Sequence, residues 1–213
     1  MIRRCVKLHQ IIFPTSYPEM IRSCVKTSLR LLTQRNHHSN ASSFVWEKPY
    51  SGWIKLNFDG ASKCKFSNAS IGGVCRDHEG LFMLGYAECI GRATSSVAEL
   101  AACKRGLELA LQNGWHSIWV EGDAKTVVDV FMNEVRLKSK EDLRIVREIR
   151  VLIPQLNDFS VSHIYRQGNR VAHEFAKLGY RYQKPQIWRN NPPNEVQRLL
   201  RHDAEAEVII LKK

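Results

Sequence analysis

The chain predicts an α/β domain with a mixed five-stranded sheet flanked by helices. Two observations carry that prediction. Apolar residues alternate with polar ones through GWIKLNFD and its two successors, the period of β-strands. The later strands are instead separated by amphipathic helical stretches. The resulting order, β-β-β-α-β-α-α-β-α, calls for a sheet that is antiparallel at its start and parallel further on.

The first strand is expected over 53–59, where Ile54, Leu56 and Phe58 alternate with Lys55, Asn57 and Asp59 on a half-buried surface. A second strand, SIGGVCRD, covers 70–77, and a third, LFMLGYAEC, covers 81–89. His78, Glu79 and Gly80 between them form a hairpin turn. SSVAELAACKRGLELALQNG reads as a helix that stops at Asn113-Gly114. SIWVEG, rich in β-branched and aromatic residues, is the fourth strand. AKTVVDVFMNE is a short helix. EDLRIVREIRVLIP is another, with acids at its start, Arg147 and Arg150 towards its end and Pro154 as its stop. FSVSHIYRQ is the fifth strand, and NRVAHEFAKLG the last helix of the domain, closed by Gly179. These elements fill a domain at 46–180. A tail follows at 181–213, with Pro185, Pro192, Pro193 and a short helix near 194–202.

Of the 213 residues, 44% are hydrophobic and 25% charged, as in ordinary globular domains. No apolar run approaches the roughly 20 residues of a membrane span. The net charge of +11 is unevenly placed. Residues 1–45 hold seven Lys or Arg and one acid, residues 180–213 seven against four, and the stretch between them 18 against 16. The basic ends point to a polyanionic partner. In the leader, Ile21, Val25, Leu29 and Leu32 lie at helical spacing beside Arg22, Lys26 and Arg30. Two readings of 1–45 stay open: a transit peptide for mitochondrion or plastid, or a disordered basic leader of an intracellular or nuclear protein. Cys5, Cys24, Cys64, Cys75, Cys89 and Cys103 form no CxxC pair, which argues against a zinc ribbon; they read as reduced thiols packed like small hydrophobes.

Three acids share a placement. Asp59 ends the first strand, Glu99 lies in the first turn of the long helix and Asp123 ends the fourth strand. Each has a plain structural reading. Asp59-Gly60 is good turn chemistry. Ser96-x-x-Glu99 has the form of a capping box. Asp123 is a fair helix N-cap. Jointly the three suggest more, because ligands favour the carboxyl ends of strands in α/β sheets. Carboxylates gathered there repel one another unless cations lie between them, and oxygen ligands of this kind suit Mg²⁺.

The segments LNFDGA, AELAACKRGLELA, WVEGDAKTVVDV and NRVAHEFAKLG resemble the type 1 ribonuclease H superfamily. They are most similar to the ribonuclease H-like domains of plant non-LTR retrotransposon reverse transcriptases and their stand-alone relatives. WEKPYSGWIKLNFDGAS and PPNEVQRLL fit the same group, so the resemblance spans roughly 46–203. It implies the ribonuclease H-like fold and endonucleolytic cleavage of the RNA strand of an RNA–DNA hybrid. It also implies two divalent ions, Mg²⁺ or Mn²⁺, and a monomer with no membrane partner. Carried over, Asp59, Glu99 and Asp123 fall on three of the family's four carboxylate positions. His173 occupies the fourth, where related sequences usually carry Asp. Gly60, Asn68, Ser95, Ser96 and Lys125 fall where nucleic acid is contacted, with the Gly72-Gly73 backbone as a further candidate. The loop between Tyr165 and Asn169 is short and lacks the histidine of many relatives. Two other classes therefore stay open: a module that binds hybrid or structured RNA without cutting it, through Lys125, Lys138, Lys140, Arg144 and Arg147, and a domesticated transposon fragment.

Overall fold

The computed structural model describes residues 44–62, 68–131, 137 and 139–210. The leader readings, Lys138 and three of the cysteines lie outside these residues. Strands β1 (Ile54–Ser62), β2 (Asn68–Arg76) and β3 (Phe82–Arg92) form an antiparallel meander. The β2–β3 turn is closed by Asp77, whose Oδ1 accepts from the amides of Glu79 and Leu81, and Gly80 supplies the positive φ of +83°. Helix α1 (Ser95–Gln112) then crosses to β4 (Ser117–Gly122). Helices α2 (Lys125–Phe131) and α3 (Lys140–Leu152) lead to β5 (Asp158–His163), and α4 (Arg170–Leu178) follows. Pro154 ends α3 by tightening its last turn into a 3₁₀ helix, Ile153–Gln155.

The sheet has six strands rather than five, in the order β5-β4-β1-β2-β3 followed by a further edge strand, with β1, β4 and β5 mutually parallel. The additional strand, β6 (Gln186–Arg189), pairs antiparallel with β3. Its four residues follow a proline and show no run of β-formers, so backbone pairing to an open edge defines it. The terminal helix α5 (Asn194–Ile210) also runs beyond the predicted 194–202, and buries Val196 completely.

Two apolar layers cover the sheet. On one face Leu56, Phe58, Ile118 and Val120 pack against α1 and α3 through Leu100, Leu107, Ile145 and Ile149. On the other, Val74 and Ala87 pack against Val171, Phe175 and Leu178 of α4 and Val196 of α5. That second layer corrects the expectation of a half-buried first strand. Lys55 and Asn57 are 0% exposed. They are tolerated because every charge there is met. Lys55 Nζ bonds both oxygens of Glu121 at 3.1 and 3.2 Å and lies 3.7 Å from the Trp119 ring centroid. Asn57 donates to Glu121 and accepts from Trp46 Nε1 and the Arg76 guanidinium, which in turn donates to Asp203 of α5 at 2.7 Å. Burial lowers the pKa of both Lys55 and Arg76, while the neighbouring carboxylates pull in the opposite direction.

Two glycines set how closely the helices approach. A Cβ on Gly60 would meet the α1 backbone at Ala98 and Glu99, 2.3 Å away. A Cβ on Gly72 would meet Ala176 N of α4 at 2.1 Å. Gly179 closes α4 in right-handed geometry (φ −55°), and a side chain there would strike Glu88 O and Ser70. Its role is therefore close contact rather than a left-handed cap. Of the described cysteines, Cys75 and Cys103 are buried and Cys89 is exposed; burial pushes the Cys75 thiol up to about 12.

Gly72→Ala forces backbone against backbone and is expected to destabilise the domain by about 1–3 kcal/mol or more. Asp203→Ala strands the buried Arg76 guanidinium and is expected to cost about 3–5 kcal/mol. Urea unfolding of each variant checks both. A wild-type midpoint for Gly72→Ala would contradict the described contact with α4.

Candidate active site

The three plain structural readings of the acids all fail in the fold. Asp59 is not in a turn, because β1 continues to Ser62 with Asp59 paired to Gly72 and Gly60 to Ile71. Glu99 is not part of a capping box. Helix α1 starts earlier, and Thr94 is the N-cap, its side chain accepting from Val97 N. Asp123 precedes the capping position of α2, which begins at Lys125. Each carboxylate is thus free of the local duty its sequence context offers.

Tertiary structure brings the three together. β1 and β4 run parallel with Phe58 beside Gly122, so Asp59 and Asp123 emerge from adjacent strands. Glu99 reaches them from α1, where Gly60 lets helix and strand touch; the Gly60 amide donates to Glu99 Oε2 at 3.1 Å. One carboxylate oxygen from each of Asp59, Glu99 and Asp123 lies within 4.8 Å of the others. Burial, followed by the charges of Asp59 and Asp123, raises Glu99 well above the usual carboxylate range. Burial raises Asp59 as well, and the hydrogen bond from His173 is the largest influence opposing it.

His173, expected as a fourth ligand, lies on the first turn of α4 and contacts Asp59 directly, with Nδ1 2.7 Å from Asp59 Oδ2. Its Nε2 lies 3.0 Å from an Arg166 guanidinium nitrogen. A guanidinium only donates, so Nε2 accepts and the proton on Nδ1 donates to Asp59. Both ring nitrogens are engaged, and His173 is not in the set of atoms that lie within 4.8 Å of one another.

The remaining predicted residues divide. Asn68, Ser95 and Lys125 are exposed, with Ser95 and Lys125 at the starts of α1 and α2. Ser96 is half-buried and donates to Asp142 Oδ2 of α3, so its hydroxyl serves helix packing. Gly60 is buried and faces Glu99. Gly72 and Gly73 are buried too, against α4 and the Tyr86 ring, so the close approach they permit is to protein rather than to a ligand. In the alternative basic face, Lys140 and Arg147 are exposed, while Arg144 pairs with Glu148.

Three residues were not singled out in advance as site residues. Asn169 Nδ2 donates to Asp123 Oδ1 and to Phe58 O, both at 2.9 Å. His163, at the end of β5, places Nε2 3.2 Å from the Asp123 carbonyl oxygen. Arg166 holds His173. No local pattern distinguishes them. The only available signal is their position at a strand end or at a helix start beside an acid.

The donor set fits a divalent cation. Carboxylate oxygens are hard ligands suited to Mg²⁺ or Mn²⁺. Among the described residues, no Lys or Arg forms an ion pair with Asp59, Glu99 or Asp123. A cation is the group that would relieve their mutual repulsion.

Such a site on this sheet defines an α/β domain of the ribonuclease H type, and sequence comparison agrees. The reverse transcriptase-like family matches residues 57–179, more than half of the chain, and the chain belongs to that family. It is 31% identical over 135 residues to a protein of Arabidopsis thaliana provisionally named a ribonuclease H, covering 63% of this chain and 22% of the relative. It is 31% identical over 126 residues to ribonuclease HI of Halobacterium salinarum, covering 59% of this chain and 63% of that protein. The chain thus spans less than two thirds of either relative. The crystal structure of ribonuclease H1 from Halobacterium salinarum superposes with a TM-score of 0.59 at 27% identity, over 61% of this chain and 98% of that one. LC11 ribonuclease H1, solved in complex with an RNA/DNA hybrid, shares the fold with a TM-score of 0.55 at 24% identity, over 59% and 94%. Among the described residues, no helix is long and apolar enough to cross a membrane.

The raised carboxyls make the metal-free protein sensitive to pH in a defined direction. Between the unfolded carboxyl pKa of about 4.3 and the higher folded values, the native state binds more protons than the unfolded state. Stability therefore falls as pH rises through that window. Glu99→Gln keeps an oxygen for the Gly60 amide and removes the charge. Its Tm relative to wild type is expected to increase as pH rises from 4 to 8 in EDTA, and the gap to narrow on adding Mg²⁺ or Mn²⁺. A gap independent of pH in thermal melts would exclude Glu99 as a raised group.

Proposed function

We propose that this chain is an endoribonuclease that cuts the RNA strand of RNA–DNA hybrids. The observation that carries the reading is the convergence of Asp59, Glu99 and Asp123, from two strands and a helix, to within 4.8 Å. Family membership supports the substrate class. Two divalent ions held there would activate the attacking water and stabilise the leaving 3′-oxygen. The residues themselves supply rigid, charged oxygens: Asp59 steadied by His173, Glu99 by the Gly60 amide and Asp123 by Asn169. Exposed Ser95, Asn68 and Lys125 are candidates for contacts to ribose hydroxyls and phosphates.

His173 gives a second reading its support. A histidine whose two nitrogens are bound to Asp59 and Arg166 contributes no anionic ligand. A module that binds hybrid without cutting it has the same surface with a weaker metal site. For the enzyme, His173 joins a ligand set only by exchanging Arg166 for a cation at Nε2. Nitrogen ligands suit Mn²⁺ better than Mg²⁺.

Cleavage of a labelled RNA–DNA hybrid separates the two readings. Wild type is expected to cut faster with Mn²⁺ than with Mg²⁺. His173→Asp is expected to raise Mg²⁺-dependent cleavage about tenfold or more, because it adds an anionic oxygen beside the cations. Asp59→Asn is expected to abolish cleavage with either ion. Silence of both wild type and His173→Asp with both ions, while hybrid binding persists, would establish the binding module instead.

A further inference from the structure

We propose that Asn169 is a positioning residue that fixes the Asp123 carboxylate for cation binding and locks it to the end of β1. The inference rests on the reading of the three carboxylates as a divalent-cation site.

Asn169 is the N-cap of α4, and Asn is among the residues that cap helices best. Its side-chain oxygen would ordinarily accept an amide of the first turn. Here it makes no capping bond. The side chain turns instead towards the sheet, 1% exposed, and donates both amide hydrogens to the ends of two neighbouring strands. One goes to Phe58 O, the residue before Asp59, and the other to Asp123 Oδ1, each at 2.9 Å. The orientation is unambiguous. A backbone carbonyl only accepts, so the group facing Phe58 O is the nitrogen. The remaining amide oxygen is buried without a partner among the described residues.

A residue that forgoes its cap and buries an unpaired acceptor breaks two local rules at once. Such breaks are expected where a site requires them. What Asn169 provides is a single amide bridging two parallel strands, each of which carries a ligand. It occupies Oδ1 of Asp123 and leaves the second oxygen for a cation. His163 supports the same residue from behind, through the Asp123 carbonyl. Outer groups of this kind typically change metal affinity or activity about 10–100-fold when removed.

The test uses the full chain with Asn169→Ala and the neutral, similarly sized Asn169→Leu. Mn²⁺ binding is read by electron paramagnetic resonance, folding by circular dichroism, and hybrid cleavage by turnover number and KM. Both variants are expected to fold and to bind Mn²⁺ about 10–100-fold more weakly. Turnover should fall at limiting Mn²⁺, while KM for hybrid stays within about twofold. Folded variants with wild-type Mn²⁺ affinity would overturn the proposal and leave Asn169 a packing residue. If neither variant folds, the side-chain amide resonance of Asn169 in the ¹⁵N-labelled wild type decides. It is expected to shift on Mg²⁺ addition and to lose its hydrogen-bonded position in Asp123→Ala, and a resonance unmoved by both overturns the proposal. Wild type that binds Mn²⁺ but cuts no hybrid would remove the nuclease reading alone, with Asn169 still judged on affinity. Wild type that binds no Mn²⁺ would remove the cation site and this inference together.

Discussion

Three carboxylates cannot be brought together without opposition, and much of this architecture answers that constraint. Two like charges ~4 Å apart repel by about 4 kcal/mol at an effective dielectric constant of ~20. The penalty falls on Asp59, Glu99 and Asp123 at a partly buried sheet end. Flexible attachments would relax apart. The acids are instead mounted on adjacent parallel strands and on a helix pressed against one of them at Gly60. Donors from outside the cluster then hold each acid: the Gly60 amide, Asn169 and His173.

The same two strands show what a compensated version of this arrangement looks like. Along β1, Lys55, Asn57 and Asp59 share one face; along β4 and just beyond it, Trp119, Glu121 and Asp123 do. At the inner end Glu121 is met by Lys55, Asn57 and Ser162, and the network continues through Arg76 to Asp203. Two residues further along each strand the protein provides acids and neutral donors but, among the described residues, no ion pair from Lys or Arg. The inner network therefore pairs each of its charges with an opposite one, and it ties β1 to β4 through Lys55, Asn57 and Glu121. The outer cluster has the charge imbalance that a bound cation would correct.

His173 and Arg166 modify that picture. Here the imidazole donates to Asp59 and is itself held by an arginine. The histidine thus serves as a support for Asp59 and adds no negative charge of its own in this geometry. Arg166, in the segment just before α4, reaches back to the His173 ring from outside the helix.

Much of this was legible in the residues alone, for a definite reason. Strand alternation, the hairpin at Asp77–Leu81 and the helix stop at Gly114 are local signals, written in neighbours a few positions apart. The acids of the site stood out because each sits where a local motif would also place an acid. What those motifs could not decide is which duty prevails. Thr94 rather than Ser96 caps α1, β1 runs past Asp59, and α2 begins too late for Asp123 to cap it. Strand β6 escaped notice because an open edge of β3, and not its own composition, makes it a strand. The burial of Lys55 depended on Trp46, Trp119 and Glu121 enclosing a side chain that alternation assigned to solvent. Asn169 was the least visible of all, since its sequence context reads as an ordinary helix cap. The chain alone determined the order of elements from β1 to α4 and the set of acids, because those depend on short-range periodicity and residue type. The tertiary structure alone decided which side chain supports which acid, because a hydrogen-bond partner 46 positions away, as Asn169 is from Asp123, is chosen by strand register and helix approach.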